Sequence, residues 1–526
     1  MKINSICILG GGTSGFSIAS LLARYREMSG LDYDIKLVHS EKIGTIGVGE
    51  STILTINVFL KFLGLDDKAW MSKCDATYKT AIKFTDFNKG SYFYYPFGHI
   101  FPHQNNAESV RKWFIAKEFY PEICTPEKAS LYYVRDTIFA EKNKLTRECF
   151  DFDNTTAYQF DASKFGKILK QYSEERGVEI VDDKFLEAEL NEDGSIRSLI
   201  CENGIHEADL FVDCSGFESL LLGEVMKEEF IPFTNTLINN KAIVARIPYT
   251  NKEDQLKNYT DCVALKNGWC WEIPLWNNMS VGYVHTNKFA TEEEIEKEFF
   301  DRYGEVEYRT VEYKTGRYKR GWVKNVVGVG LAYGFLEPLE STGLASTFIN
   351  CFRLLECISK REMNCTQIDR DIFNTGTGEY GIDKWRAQIE MHYFLSVRSD
   401  SNYWKYVTED IDYRNGIDSP FSYENLLHKC GVARDLHDAD EPGFMFIVAG
   451  MNYSYFSRAV LLSEELDKVS AFNMRDFVDF VKEINIAAMK FPSTFKFLQD
   501  NIYAEVSVVD NIKQFVKKDT FSGFKL

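Results

Sequence analysis

Gly10-Gly11-Gly12-Thr13-Ser14-Gly15 is the first stretch whose residue types and spacing suit a chemical task. It follows the short apolar run Ile6-Cys7-Ile8-Leu9, and Phe16, Ile18, Ala19, Leu21 and Leu22 then fall at helical spacing. The order is strand, GxGxxG, helix. Gly10 permits a tight turn, Gly12 lets a pyrophosphate approach the backbone, and Gly15 lets strand and helix pack closely. Unpaired N–H groups at the helix start then face the phosphates. The spacing predicts a dinucleotide-binding βα unit. The next strand reads Asp34 to Val38, and an acidic residue is expected after it to hold the ribose hydroxyls. Here His39 stands at that point and Glu41 follows two residues later; either can accept a ribose hydrogen bond.

Five further sites carry chemistry in their residue types. Lys79 alternates with Tyr78, Thr80, Ile82 and Phe84, as on a half-buried strand, where a lysine is ordinarily solvated. Glu340 lies in Glu337-Pro338-Leu339-Glu340-Ser341-Thr342-Gly343, ahead of a helical run from Leu344 to Leu355. Thr342 and Gly343 head that helix, so their backbone N–H groups form either an ordinary cap or a small anion nest. Trp269 and Trp271, two apart, share one face of a strand. The aromatic run Phe84 to Phe101 reads as paired strands about Asn88-Lys89-Gly90, followed through His99 and His103; it suits cross-strand packing as well as a pocket wall.

The elements that must position these residues belong to a large chain of 526 residues, too long for one compact core. It is 45% hydrophobic and 15% aromatic, which suits large cores and a ring-lined site for a flat substrate. Net charge is −17, from 61 basic and 78 acidic residues, which argues against nucleic acid and anionic membrane surfaces as partners. No stretch has the apolar length of a membrane span, and the start does not read as a signal peptide. Twelve cysteines without a CxxC pair read as reduced, core-filling thiols of a cytoplasmic protein. Eight histidines without an HExxH or a close cluster give no support to a metal site.

Beyond the first glycines, a series of ordered motifs resembles the flavin-dependent tryptophan halogenases along nearly the whole chain. Ile46-Gly47-Val48-Gly49-Glu50-Ser51-Thr52-Ile53 is similar to that family's VGEAT strap between flavin and substrate sites, with Leu54 where the family usually has proline. Ala76 to Phe84 matches the stretch carrying the family's active-site lysine, and Val212-Asp213-Cys214-Ser215-Gly216-Phe217 resembles its DCSGF turn. Trp269-Cys270-Trp271-Glu272-Ile273-Pro274 matches WxWxIP, the mark that separates the family from flavin monooxygenases. Gly328 to Gly343 resembles the second flavin segment, and His392-Tyr393, Arg398 and Asp400 fit a downstream pattern.

The resemblance implies an α/β fold: an FAD-binding, Rossmann-like module of the flavin monooxygenase type, an inserted β-rich substrate lobe and a mainly helical C-terminal region. It implies that reduced FAD, supplied in trans, and dioxygen form a flavin hydroperoxide that oxidises chloride, bromide or iodide to hypohalous acid. Lys79 would hold that oxidant as an ammonium or a haloamine, and burial would make its neutral form accessible. Glu340 would polarise the oxidant and take the proton from the halogenated ring. Thr342 and Gly343 would hold halide, while Trp269 and Trp271 would keep the organic substrate, an indole or a phenol, from the flavin. The flavin contacts would come from Gly10, Gly12, Thr13, Ser14, Gly15, His39, Val48, Gly49, Glu50, Gly330 and Leu336. Before Val448-Ala449-Gly450-Met451 the run Ala439 to Phe446 lacks the indole-sandwiching Trp of tryptophan-specific members, and Asn452 stands where the family often has glycine, so free tryptophan does not follow as the substrate.

No second dinucleotide fingerprint is visible, so a separate NAD(P)H-dependent flavin reductase is expected. A homo-oligomer is compatible with the sequence. A single-component FAD-dependent aromatic hydroxylase would share the nucleotide fold, and a flavin sensor would keep the glycines while losing Lys79 or Glu340. The expected flavin module is discontinuous, over 1–80, 155–240 and 320–375, with β-rich insertions at 81–154 and 241–319 and a helical region at 376–526, including helices over Lys384–Phe394 and Ser463–Val481.

Overall fold

The first strand, Ser5–Leu9, lies between Asp34–His39 and Leu210–Asp213 in parallel register. Its residues Ile6 to Leu9 are all buried, as an inner strand of a doubly covered sheet requires. Glu179–Asp182 and Val326–Gly328 extend this sheet on either side, and Trp322–Val323 closes it as an antiparallel edge. The computed structural model describes residues 1–44, 47–98, 107–134, 136–415, 442–453 and 474–504. His99, His103, Phe101, Ile46, Ala439–Glu441 and the start of the expected Ser463–Val481 helix lie outside them; Met474–Ala488 is helical.

The glycine turn behaves as its spacing predicts. Gly10 has φ +120°, and a side chain there would stand 2.2 Å from the Cys214 carbonyl oxygen. A Cβ on Gly15 would lie 1.9 Å from the Gly10 carbonyl oxygen, so strand and helix meet backbone to backbone. The helix Thr13–Ser29 then runs to Gly30, whose left-handed φ of 68° lets its N–H reach the Arg26 carbonyl.

A second sheet has seven strands. Its order is Tyr308–Glu312, Lys241–Ile247, Met279–His285, Gly268–Pro274, Tyr259–Leu265, Ala81–Thr85 and Tyr92–Pro96, so both expected insertions contribute to one sheet. It is antiparallel except where Tyr259–Leu265 pairs with Ala81–Thr85. The segment 81–154 is less strand-rich than expected: after Pro96 it forms helices Ala107–Phe119, Pro126–Tyr133 and Thr137–Glu141. The first two carry Phe114, Ile115 and Leu131 to the core, and tertiary burial of these side chains outweighs strand propensity.

A small three-stranded sheet joins the two large ones. Ala157–Asp161 pairs on one side with Gly49–Ser51 and on the other with Thr77–Lys79. The alternating run around Lys79 is therefore not one strand. It changes sheets at Thr80, whose N–H goes to the Asn258 carbonyl and whose own carbonyl accepts from Phe97. Lys79 ends fully buried, whereas Lys83, on the next strand, pairs with Asp261 at 3.3 Å. Two departures from family residues also find their geometry. Leu54 has φ −57°, the value proline enforces, at the cap of helix Thr55–Leu63. Asn452 has φ +60°, a conformation that asparagine shares with glycine. No helix among the described residues is long and apolar enough to cross a membrane.

Candidate active site

Lys79 is fully buried and makes two hydrogen bonds. Its Nζ donates to the Thr52 carbonyl at 2.9 Å and to Ser341 Oγ at 2.8 Å. The Phe97 ring centre lies 5.2 Å away. Loss of hydration drives the amine down to about 7, against the opposing pull of Cys262 and the Glu340 carboxylate. The three chain segments that build this corner are distant in sequence: the strap after Gly49–Ser51, the strand Thr77–Lys79, and the turn ahead of helix Thr342–Ser359.

That turn explains the last segment's shape. Pro338–Glu340 forms one tight helical turn, and Ser341 then takes φ +59° before the helix begins at Thr342. The reversal sends Ser341 Oγ to Lys79 and Glu340 to the opposite wall. Glu340 Oε1 lies 2.7 Å from His392 Nε2, and both side chains are buried. The His392 ring stacks on Phe84 at 4.3 Å, with Phe87 edge-on at 5.9 Å. Its Nδ1 has no hydrogen-bond partner among the described residues. Lys79 and Glu340 thus occupy one buried corner without forming an ion pair.

The helix that starts at Thr342 supplies unpaired first-turn N–H groups, and a Cβ built on Gly343 would meet nothing within 4 Å. The same helix is tied to the dinucleotide turn. Thr347 Oγ1 lies 3.4 Å from Ser14 Oγ, and Gly330, at φ +66°, sits so close that a Cβ would stand 2.3 Å from Ser14 Oγ. The Thr342 helix and the glycine turn are therefore in direct contact.

The glycine turn fits a dinucleotide. A Cβ on Gly12 would also meet nothing within 4 Å, so the backbone is bare and open where a pyrophosphate must approach. The His39 ring covers Gly11, which leaves no room for a Cβ there (2.5 Å), and burial lowers its basicity, ahead of the nearby Lys170 charge. The Glu41 carboxylate lies 3.6 Å from Lys170, near enough to act on His39 as well. In the strap, Gly49 N–H donates to Ser280 Oγ at 3.2 Å, and the Val48 carbonyl accepts from Ala162. The Glu50 carboxyl is raised to about 7 by loss of hydration. Leu336 is buried.

Trp269 and Trp271 share a face of Gly268–Pro274, their ring centres 6.3 Å apart. Trp269 Nε1 donates to Glu337 Oε2 at 3.2 Å, and Tyr393 and Asn239 bind the same oxygen. Glu337, Ser341 and Thr52 escaped assignment from sequence. Their positions within the matched motifs were the available signal, but the side chains' targets lie far away in the chain. Arg398 pairs with Asp400 at 2.9 Å and holds the Asp86 and Ala264 carbonyls, a bracing role. Elsewhere, Asp183, Cys201 and His206 come together, but Asp183 already accepts backbone N–H groups from Lys184 and Asn203, and burial pushes the Cys201 thiol up to about 11.

Comparison with known proteins decides the family. The tryptophan halogenase family model matches residues 5–420. The chain belongs to the tryptophan halogenase family. The tryptophan 7-halogenase RebH of Lentzea aerocolonigenes is 31% identical over 471 residues, 84% of each chain. The solved structure of VirX1 superposes with a TM-score of 0.88 at 35% identity, covering 96% of this chain and all of that one. Xcc4156, a flavin-dependent halogenase from Xanthomonas campestris, shares the fold with a TM-score of 0.81 at 22% identity, over 95% and 98% of the two chains. The protein is thus a flavin-dependent halogenase, an oxidoreductase that uses reduced FAD and halide, with the expected α/β fold. The hydroxylase reading gives way to this one.

Proposed function

We propose that this halogenase transfers halogen to an electron-rich aromatic, of indole or phenol type, with Lys79 and Glu340 at the reacting end. The observation that carries the reading is the desolvated Lys79 amine, held at 2.8 Å by the residue next to Glu340. Bound reduced FAD supplies, with dioxygen, the two-electron oxidation of halide to hypohalous acid. Gly10, Gly12, Thr13, Ser14 and Gly15 would hold its pyrophosphate, His39 its ribose, and Val48, Gly49, Glu50, Gly330 and Leu336 the remaining contacts. First-turn N–H groups of Thr342 and Gly343 would hold halide.

Lys79 then fixes the halogen. As an ammonium it donates a hydrogen bond to hypohalous acid. As a neutral amine it forms an N–halogen bond, releasing water. The aromatic ring attacks the halogen. On the hypohalous acid route the hydroxide leaves as water with a proton from the Lys79 ammonium. On the N–halogen route the electron pair of the broken bond stays on the nitrogen, which takes a proton from water. The proton on the new sp³ carbon passes to the Glu340 carboxylate, whose geometry His392 fixes. When the halogen was on nitrogen, the amine regains a hydrogen at the end, and the site resets. Trp269 and Trp271 wall the organic substrate off from the flavin, so halide is the species oxidised.

The reading includes a flavin module over 1–80, 155–240 and 320–375, and a cytoplasmic enzyme served by a separate NAD(P)H-dependent flavin reductase. The test supplies reduced FAD, dioxygen and chloride, bromide or iodide with panels of indoles and phenols, and follows products by mass spectrometry. Halogenated product with wild type, and none with Lys79→Ala, is the expected result. Hydroxylated product without halogen, or full halogenation by Lys79→Ala, overturns it. Turnover on NADPH alone would remove the need for a reductase.

A further inference from the structure

Behind Ser341 runs a buried line of side chains that reaches the strand carrying the two tryptophans. Ser341 Oγ lies 3.1 Å from Ser51 Oγ, and Ser51 Oγ lies 2.6 Å from Thr260 Oγ1. Thr260 Oγ1 lies 2.8 Å from Gln159 Oε1, Gln159 Nε2 lies 3.1 Å from Thr77 Oγ1, and Thr77 Oγ1 lies 2.7 Å from the Pro274 carbonyl oxygen. All five side chains are buried.

The direction of every bond follows from the last one. A carbonyl oxygen only accepts, so Thr77 spends its single hydroxyl proton on Pro274. Thr77 must then accept from the Gln159 amide, which turns the amide oxygen toward Thr260. Thr260 donates to that oxygen and has no proton left for Ser51. Ser51 therefore donates to Thr260 and accepts from Ser341. Ser341, its proton spent, can offer Lys79 only a lone pair. Reversing the line would require the Gln159 amide to flip and Thr77 to release Pro274.

We infer that Ser51, Thr260 and Gln159 are positioning residues that hold Ser341 as an obligate acceptor, so that the lysine's third tetrahedral vertex alone faces the reactants. Both protein partners of Lys79, the Thr52 carbonyl and Ser341 Oγ, then take N–H groups. A neutral amine has two N–H groups, both used, and its lone pair occupies the remaining vertex. The ammonium places its third N–H there instead. One geometry serves halogen capture in one protonation state and hydrogen bonding to the oxidant in the other. The inference rests on the role given to Lys79 above, but its test reads the lysine directly.

The titratable groups facing Lys79 are Cys262 on Tyr259–Leu265 and Glu340 before the Thr342 helix. Ser51→Ala frees the Ser341 proton, and Thr260→Val lets Ser51 reverse toward Ser341. In both, Ser341 becomes a donor to the neutral amine and occupies its lone pair. Lysine labelled at ¹³Cε, with the Lys79 signal assigned by Lys79→Arg, gives the titration midpoint in the resting enzyme. The midpoint is expected to fall from about 7 to about 6, the worth of one hydrogen bond to the neutral form. Turnover at neutral pH should fall about fivefold, with the KM for the aromatic substrate within about twofold, and Thr260→Ser should restore both readings. An unchanged midpoint in Ser51→Ala and Thr260→Val overturns the inference, as does a shift that Thr260→Ser fails to reverse. A failed role for Lys79 would show instead as halogenation by Lys79→Ala, with the midpoint shift intact.

Discussion

Glu340 Oε1 and His392 Nε2 stand 2.7 Å apart in a fully buried contact. The histidine ring itself stacks on Phe84, which stacks in turn on Phe93. In the proposed role of proton acceptor, the Glu340 carboxylate thus has its orientation held by His392. Glu340→Gln keeps the shape but loses the base. Halogenation by this variant should fall by about 10²-fold or more, measured as product formed per unit time with reduced FAD supplied.

His392→Phe keeps the stack and removes the hydrogen bond. The Glu340 carboxyl is then left buried without this partner. Unfolding in denaturant should show a loss of about 3 kcal/mol, together with a fall in halogenation rate. Unchanged stability would mean that Glu340 finds another partner.

Lys79 titrates in the folded protein near 7, well below its unfolded value of about 10.4. Between these values the unfolded chain binds the extra proton, so this lysine makes stability rise with pH from about 7 upward and fall as pH drops toward 7. Lys79→Met should remove that contribution, flatten the stability profile above neutrality and abolish halogenation. Chemical denaturation at a series of pH values, compared between the two proteins, gives the difference directly.

Gly12 and Gly15 should separate binding from folding. A methyl on Gly12 enters open space, so Gly12→Ala should melt like wild type yet bind FAD at least about tenfold more weakly. A methyl on Gly15 collides with the Gly10 carbonyl, so Gly15→Ala should lower the melting temperature. Flavin fluorescence titration and thermal melts check the pair.

Gly343→Ala also projects into open space, at the head of the Thr342 helix. It should raise the KM for bromide and chloride several-fold, with little change in melting temperature. A KM for halide equal to that of wild type would place the halide elsewhere.

The sequence alone determined the dinucleotide turn, because a strand, three glycines at set spacing and a helix are local, and each glycine answers a local steric demand. The same holds for the shared face of Trp269 and Trp271, which a two-residue period dictates. The hairpin about Asn88 to Gly90 was likewise legible. Lys79 and Glu340 could be singled out by their motifs, but their surroundings could not. Around Lys79 a regular alternation suggested one half-buried strand, whereas two sheets divide it at Thr80 and bury the amine completely. Only the fold shows the surroundings of His39 and Glu41: the His39 ring lies on Gly11, and the Glu41 carboxylate stands 3.6 Å from Lys170. Only the tertiary structure joined Lys79 to Ser341 across 262 positions, and Ser341 to Ser51 across 290. Hydrogen-bond direction and desolvation depend on which side chains meet in space, and those meetings arise when three sheets close on one another.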